Sequence, residues 1–172
     1  MVGSERNDGT ERFIIRRALP QDAAQITEIY NSNADFLRHH LGCPTVGRDF
    51  VEREMAKMER VGFLSCVLED AERGVCIGVL DYRPGKCAYL SLMMLDACVQ
   101  GSGTGRACYA CFERELLRQG TASVRIDVVD GYPGNVAPFW EKLGFVRSER
   151  TNLVWNGWET EAAVMVKQFA EP

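Results

Sequence analysis

Apolar and β-branched residues fall along this chain in short runs separated by turn formers. Residues 13–18 (Phe-Ile-Ile-Arg-Arg-Ala) are β-rich and stop at Leu19-Pro20-Gln-Asp22, where Pro and Asp open a helix carrying Ile26, Ile29 and Tyr30 at helical spacing. Residues 36–47 hold turn formers and the pair His39-His40, read as a partly exposed loop, and residues 49–60 resume an amphipathic helix that ends near Gly62. Strand-like runs at residues 63–68, 75–82 and 88–95 follow, joined by short turns, so an antiparallel meander is predicted. A glycine cluster and a helix over residues 107–118 come next, closed by Gln119-Gly120. Residues 124–129 predict a further strand and residues 135–143 a short helix. Residues 145–155 and 162–169 predict a final strand pair around Asn156-Gly157.

This order predicts an α+β fold: a mixed, mostly antiparallel sheet of six to seven strands with a central β-α-β crossover and about four helices. No internal repeat or linker interrupts it, and a chain of 172 residues with 46% apolar content supports one core. One domain over residues 12–172 is expected, behind a polar tail over residues 1–11 read as disordered.

Charge narrows the functional classes. Twenty Lys and Arg stand against 24 Asp and Glu, and no basic tract exceeds Arg16-Arg17, so the electrostatic footprint of a nucleic-acid binder is missing. A basic partner or a small amine suits this surface better. No stretch approaches the roughly 20 apolar residues of a membrane span, and the start lacks a signal-peptide core, so neither a membrane partner nor export is expected. The seven cysteines are scattered and odd in number, which reads as reduced thiols in a cytoplasmic protein. Cys108-Tyr-Ala-Cys111 lies inside a helical pattern without a second pair or a nearby histidine, so no metal site is expected.

The segment Gln100-Gly101-Ser102-Gly103-Thr104-Gly105 carries the clearest chemistry. A glycine-rich turn between a strand and a helix lets backbone N–H groups converge on phosphate oxygens, and the helix N-terminus adds partial positive charge. No Gly-Lys-Ser/Thr follows, so this is not a Walker A loop. Arg106 stands where a dinucleotide fingerprint needs its third glycine, and the chain lacks a parallel-strand rhythm, which disfavours a nucleotide-dependent oxidoreductase. Arg106 instead places a cation beside the turn, where it can pair with a phosphate.

Two ordered motifs resemble the GNAT superfamily of N-acetyltransferases. The turn matches that family's Gln/Arg-x-x-Gly-x-Gly/Ala, and Phe139-Trp-Glu-Lys-Leu-Gly-Phe145 is similar to its Phe-Tyr-Glu-Lys-Leu-Gly-Phe segment. The resemblance spans roughly residues 13 to 169. It implies acetyl-CoA as co-substrate, no metal, and direct transfer to a primary amine of a small molecule, peptide or protein; a homodimer is left open. It implies that the strands at residues 88–95 and 124–129 splay, with Met93, Met94 and Leu95 lining a slot and a backbone N–H near Met93 facing the thioester carbonyl.

Asp127 is the first choice for the base that deprotonates the amine, since a related pattern of the family carries a glutamate there, and Asp81 is the second. Two departures stand out. Trp140 occupies the place of the family's acidic tyrosine, and an indole N–H is no general acid near neutral pH, which leaves Tyr132 or unassisted thiolate departure. Asn135 lies five residues before Trp140 rather than the family's seven, so it is read either as a cofactor ligand or as a helix N-cap. The alternative to an enzyme is a non-catalytic acyl-CoA-binding module of the same fold.

Overall fold

In the computed structural model, which describes residues 12–169, the chain runs β1 (Phe13–Arg17), α1 (Ala23–Ser32), α2 (Ala34–Leu41), α3 (Arg48–Arg60), β2 (Leu64–Asp70), β3 (Val75–Arg83), β4 (Cys87–Leu95), α4 (Thr104–Arg118), β5 (Ser123–Val128), α5 (Ala137–Lys142), β6 (Val146–Trp155) and β7 (Trp158–Gln168). The tail read over residues 1–11 lies outside the described residues. The strands form one seven-stranded sheet in the order β1-β2-β3-β4-β5-β7-β6. All neighbours are antiparallel except β4 and β5, which α4 joins as a crossover.

Three expectations need correction. Residues 36–47 do not form a loop, because α2 occupies most of them. Phe36, Leu37, His40 and Leu41 follow helical spacing, and the buried Leu37 and Leu41 anchor the helix to the core. Polar Arg38-His39 masked that stripe in the sequence. Gly42 closes the helix at φ 72°, a left-handed conformation that glycine adopts without strain. The described residues therefore hold five α-helices rather than about four, and three of them precede the meander. β7 also begins at Trp158 instead of residue 162. The tight turn at Asn156 (φ 50°) and Gly157 (φ 81°) pairs Trp155 directly with Trp158 and extends the hairpin.

Apolar side chains leave the sheet on both faces. One layer holds α4 and α5 over Leu80, Leu90, Val124, Ile126 and Met165, with Tyr109, Phe112 and Trp140 filling it. The other holds α1 to α3 over Val67, Val79, Leu92 and Met94. Leu90 and Leu92 are two residues apart, so in a regular strand they would share a face. They do not, because Asp81 pairs with Leu92 while its neighbour Tyr82 pairs with Leu90. Ser91 is the extra residue of a β-bulge, and it reverses the facing of every later β4 side chain.

Gly78 sits where β3 is squeezed between its two partners. A Cβ there would lie 2.6 Å from Leu95 Cδ2 and 2.8 Å from the Met94 carbonyl oxygen. Gly78→Ala is expected to lower unfolding free energy by about 1–3 kcal/mol through overpacking. Gly131→Ala, whose methyl meets nothing within 4 Å, should leave the urea midpoint almost unchanged. Equal midpoints for the two variants would contradict this packing.

Candidate active site

Pairing between β4 and β5 runs from Cys87↔Ser123 to Leu90↔Ile126 and then stops, although β4 continues to Leu95 and β5 to Val128. The break falls at the Ser91 bulge. Beyond it the strands part around a cleft of about 220 Å³, bordered by Ser91, Leu92 and Met93 on one side and by Ile126, Asp127 and Val128 on the other. Strand backbone left without a neighbour offers N–H and C=O groups to an extended ligand.

Of the three residues expected to line the slot, only Met93 borders the cleft. Strand alternation sends Met94 into the α1–α3 layer, and Leu95 packs in the α4 layer beside the glycine turn.

The turn rises from the same strand. Gly101 (φ 79°) and Gly103 (φ 85°) are left-handed, and a Cβ on either would meet nothing within 4 Å. Backbone conformation selects glycine there, and open space lies above the turn. α4 begins at Thr104, three residues earlier than expected, so its unpaired N–H groups belong to the turn itself. Ser102 Oγ donates to the Val99 carbonyl at 3.2 Å and lies 2.9 Å from Thr104 Oγ1. Gly105 abuts the Phe139 ring, which a Cβ would meet at 3.4 Å.

Gln100 points inward. Its Nε2 donates to the Leu95 carbonyl and to Asn33 Oδ1, both at 2.8 Å, while Asn33 Nδ2 donates to the same carbonyl at 2.9 Å. Gln100 is thus an anchor of the turn to α1 and β4. Arg106 is exposed on the first turn of α4, with no partner among the described residues.

The two carboxylates expected to act as bases differ sharply. Asp127 is fully engaged: Oδ1 accepts from Arg125 Nε at 2.9 Å, and Oδ2 accepts from the Tyr89 hydroxyl at 2.8 Å and a second Arg125 nitrogen at 3.1 Å. Donors thus occupy about three of the four acceptor positions of this carboxylate and hold it in place. Asp81 has no ion-pair partner among the described residues, although it is 9% exposed and borders the cleft. Burial pushes its pKa up to about 6, with Glu54 adding repulsion and the adjacent Ser65 hydroxyl opposing the rise.

Tyr132 does not border the cleft; its ring stacks on His39 with centroids 3.8 Å apart. Trp140 is a wall of the cleft, packed edge-on against Tyr109, Phe139 and Phe145 at 4.9–5.7 Å. Asn135 Nδ2 donates to the Asp130 and Tyr132 carbonyls, and its Oδ1 accepts from Ala137 N–H at 3.0 Å. Asn135 thus sits one residue before the N-cap Val136, ties the β5–α5 loop to the first N–H of α5, and spends its amide on local carbonyls. Among the described residues, no three His, Cys, Asp or Glu side chains gather where they could hold a metal ion.

Sequence reasoning gave no site role to Tyr30, Glu54, Tyr89 and Trp155, which border the cleft together with Phe36 and His40. Glu54 left a signal: it lies on the same helical stripe as Phe50, Val51, Met55 and Met58, an odd place for a carboxylate. Its Oε2 accepts from the Trp155 indole at 2.8 Å and its Oε1 faces Lys57 Nζ at 3.4 Å. His40 Nδ1 lies 2.8 Å from the Phe36 carbonyl and so carries the proton; burial lowers its pKa to about 4, leaving the ring neutral at pH 7.

No protein-family model and no curated protein sequence matches the chain. Solved structures do. An acetyltransferase from Thermus thermophilus superposes with a TM-score of 0.72 at 19% identity, covering 91% of this chain and 97% of its own. The ribosomal-protein-S18-alanine N-acetyltransferase of Escherichia coli gives 0.67 at 17% identity, with 93% and 96% covered. yncA from Salmonella typhimurium, determined with its cofactor acetyl-CoA, gives 0.63 at 23% identity, with 94% and 96% covered. The chain has the fold of the GNAT N-acetyltransferases.

The raised pKa of Asp81 makes a thermodynamic prediction. The native state favours the protonated acid, so this contribution to stability is present below the usual carboxylate pKa and is lost as pH rises through about 6. Asp81→Asn removes the buried charge and is expected to stabilise the protein at pH 7.5 by up to about 3 kcal/mol, with little difference near pH 4. Urea unfolding at the two pH values measures this; a variant destabilised equally at both would show that Asp81 is not a desolvated acid.

Proposed function

We propose that this protein transfers an acetyl group from acetyl-CoA to a primary amine. The observation that carries the reading is continuity along β4. A phosphate-compatible glycine turn, an unpaired strand edge and a buried carboxylate without a counter-ion follow one another on one strand and its neighbour. The turn would hold the pyrophosphate through α4's first N–H groups, with Arg106 as its cation, and the open β4 edge would pair with the pantetheine amides.

A backbone N–H near Met93 is the donor that would stabilise the oxyanion formed as the amine nitrogen attacks the thioester carbon. Asp81 takes the proton that the amine loses. The carbon–sulfur bond then breaks and the thiolate departs; a CoA thiol with a pKa of about 8.5, like free cysteine, needs no acid for this. Trp140 walls the cleft, and Asp127 fixes Tyr89 rather than accepting a proton. The likeness to a fold seen with acetyl-CoA supports the co-substrate, and seven unpaired thiols support a reducing, cytoplasmic setting. No helix among the described residues is long and apolar enough to cross a membrane.

A non-catalytic acyl-CoA-binding module shares the turn but has no use for a desolvated, unpaired Asp81. CoA is expected to raise the melting temperature, and Gly103→Val, which forces a β-branched residue into a left-handed backbone, should weaken CoA binding about thirty-fold or more, roughly 2 kcal/mol. Asp81→Asn should lower kcat about a hundred-fold with CoA affinity unchanged, and the wild-type rate should rise with pH through about 6. Full activity in Asp81→Asn would remove the assigned base. CoA binding with no transfer to any amine would favour the binding module.

A further inference from the structure

Beyond the turn and the thioester, the cleft says what kind of amine fits. The geometry points to an acceptor that carries a single primary amine on a compact apolar or aromatic body. This inference rests on the acetyl-transfer reading and names the substrate class for the same site.

The number of available carboxylates is decisive. Three acidic side chains border the cleft: Asp81, Glu54 and Asp127. Glu54 is engaged by the Trp155 indole at 2.8 Å and by Lys57, and Asp127 by Arg125 and Tyr89. Only Asp81 is left to meet an incoming ammonium. A polyamine or an aminoglycoside would bring further cations into a buried space that holds no counter-ion for them, and an unpaired buried charge is strongly unfavourable.

Apart from His40, Lys57 and Ser91, the rest of the cleft lining is apolar and aromatic. Tyr30, Phe36, Met58, Leu153, Val154 and Trp155 border the same cleft as Asp81. Trp155 meets Tyr30 and Phe36 edge-on, with centroids 6.2 and 6.4 Å apart. These faces attract an ammonium as it arrives and then stack against an apolar body. They offer few polar partners to a peptide backbone, whose groups would be left unsatisfied.

α2, which brings Phe36 and His40 to the cleft, is held at two further points. Trp158, at the start of β7, lies against Gly42 so closely that a Cβ there would sit 2.5 Å from the indole. His39, on the same helix, stacks on Tyr132 of the β5–α5 loop. The helix is thereby pinned both to the hairpin and to the loop, which fixes Phe36 and His40 as cleft walls.

The test compares 2-phenylethylamine, spermidine and a free-N-terminus hexapeptide as acceptors, scored by acetyl-CoA-dependent thiol release. In parallel, each is titrated against tryptophan fluorescence in the presence of CoA. 2-Phenylethylamine is expected to have the highest kcat/KM, by tenfold or more, and Phe36→Ala should raise its KM about tenfold while leaving the CoA thermal shift intact. Leu153→Ala, a milder change on the hairpin, serves if Phe36→Ala does not fold. A higher kcat/KM for spermidine or the peptide would overturn the acceptor class and leave acetyl transfer standing. Binding of 2-phenylethylamine alone, weakened by Phe36→Ala but without turnover, would uphold the acceptor class and remove the transferase. Neither binding nor turnover with 2-phenylethylamine would overturn the inference.

Discussion

Everything functional in this molecule depends on the point where β4 and β5 stop pairing. A parallel pair in the middle of a sheet is normally held along its whole length, since unpaired backbone is costly when buried. Here the ladder ends after Leu90 and Ile126, and the Ser91 bulge sits at that end. The bulge does two things at once. It reverses the strand's facing, so that Leu92 and Met94 seal the α1–α3 layer while Met93 turns toward the cleft, and it frees the edge that an extended ligand needs. The same strand then delivers its carbonyl at Leu95 to Gln100 and Asn33, which fasten the glycine turn in place.

Asp81 is the second consequence of that arrangement. It stands across β3–β4 from Leu92, on the face that the bulge hands to α1–α3, and so it is buried under Tyr30 and Glu54 with no cation. Other buried acids in this chain are handled differently: Asp22 is held by Arg16, and Asp70 by Arg12, and both lie below the usual carboxylate range. Leaving one acid unpaired sacrifices stability near neutral pH, a pattern that recurs where proton transfer is required.

The fold was largely legible because its strands carry strong local signals. Turn formers at residues 70–74 and 83–86 divide the meander, and Asn156-Gly157 marks the last hairpin. The glycine turn was legible for a related reason: the left-handed backbone at Gly101 and Gly103 restricts the residue type itself. α2 was hidden because polar residues interrupt an eight-residue helix, whose amphipathic stripe is then only two turns long. The difference between Asp127 and Asp81 was harder to read. Both are strand carboxylates in similar local sequence, and what separates them is an ion pair with Arg125 on one and none on the other. Arg125 lies only two residues from Asp127, so that pairing is local, whereas the burial of Asp81 beside Glu54 is built from residues far apart in the chain.

The substitution of Trp140 for a tyrosine gains its meaning from the same distinction between backbone and side chain. In the proposed reaction, phosphate binding by the turn and oxyanion stabilisation by a strand N–H would use main-chain groups, which are insensitive to side-chain replacement as long as the turn and the bulge persist. A general acid is a side-chain function and is lost outright with the phenol. Trp140 keeps the aromatic volume, packing edge-on against Tyr109 and Phe145, so the cleft wall survives. The chemistry lost is the step that needs least help, since a thiolate is a far better leaving group than the amine it is exchanged for. In the proposed reaction, removing the proton from the amine is the harder demand, and the base proposed for it is a carboxylate set by burial rather than by a partner.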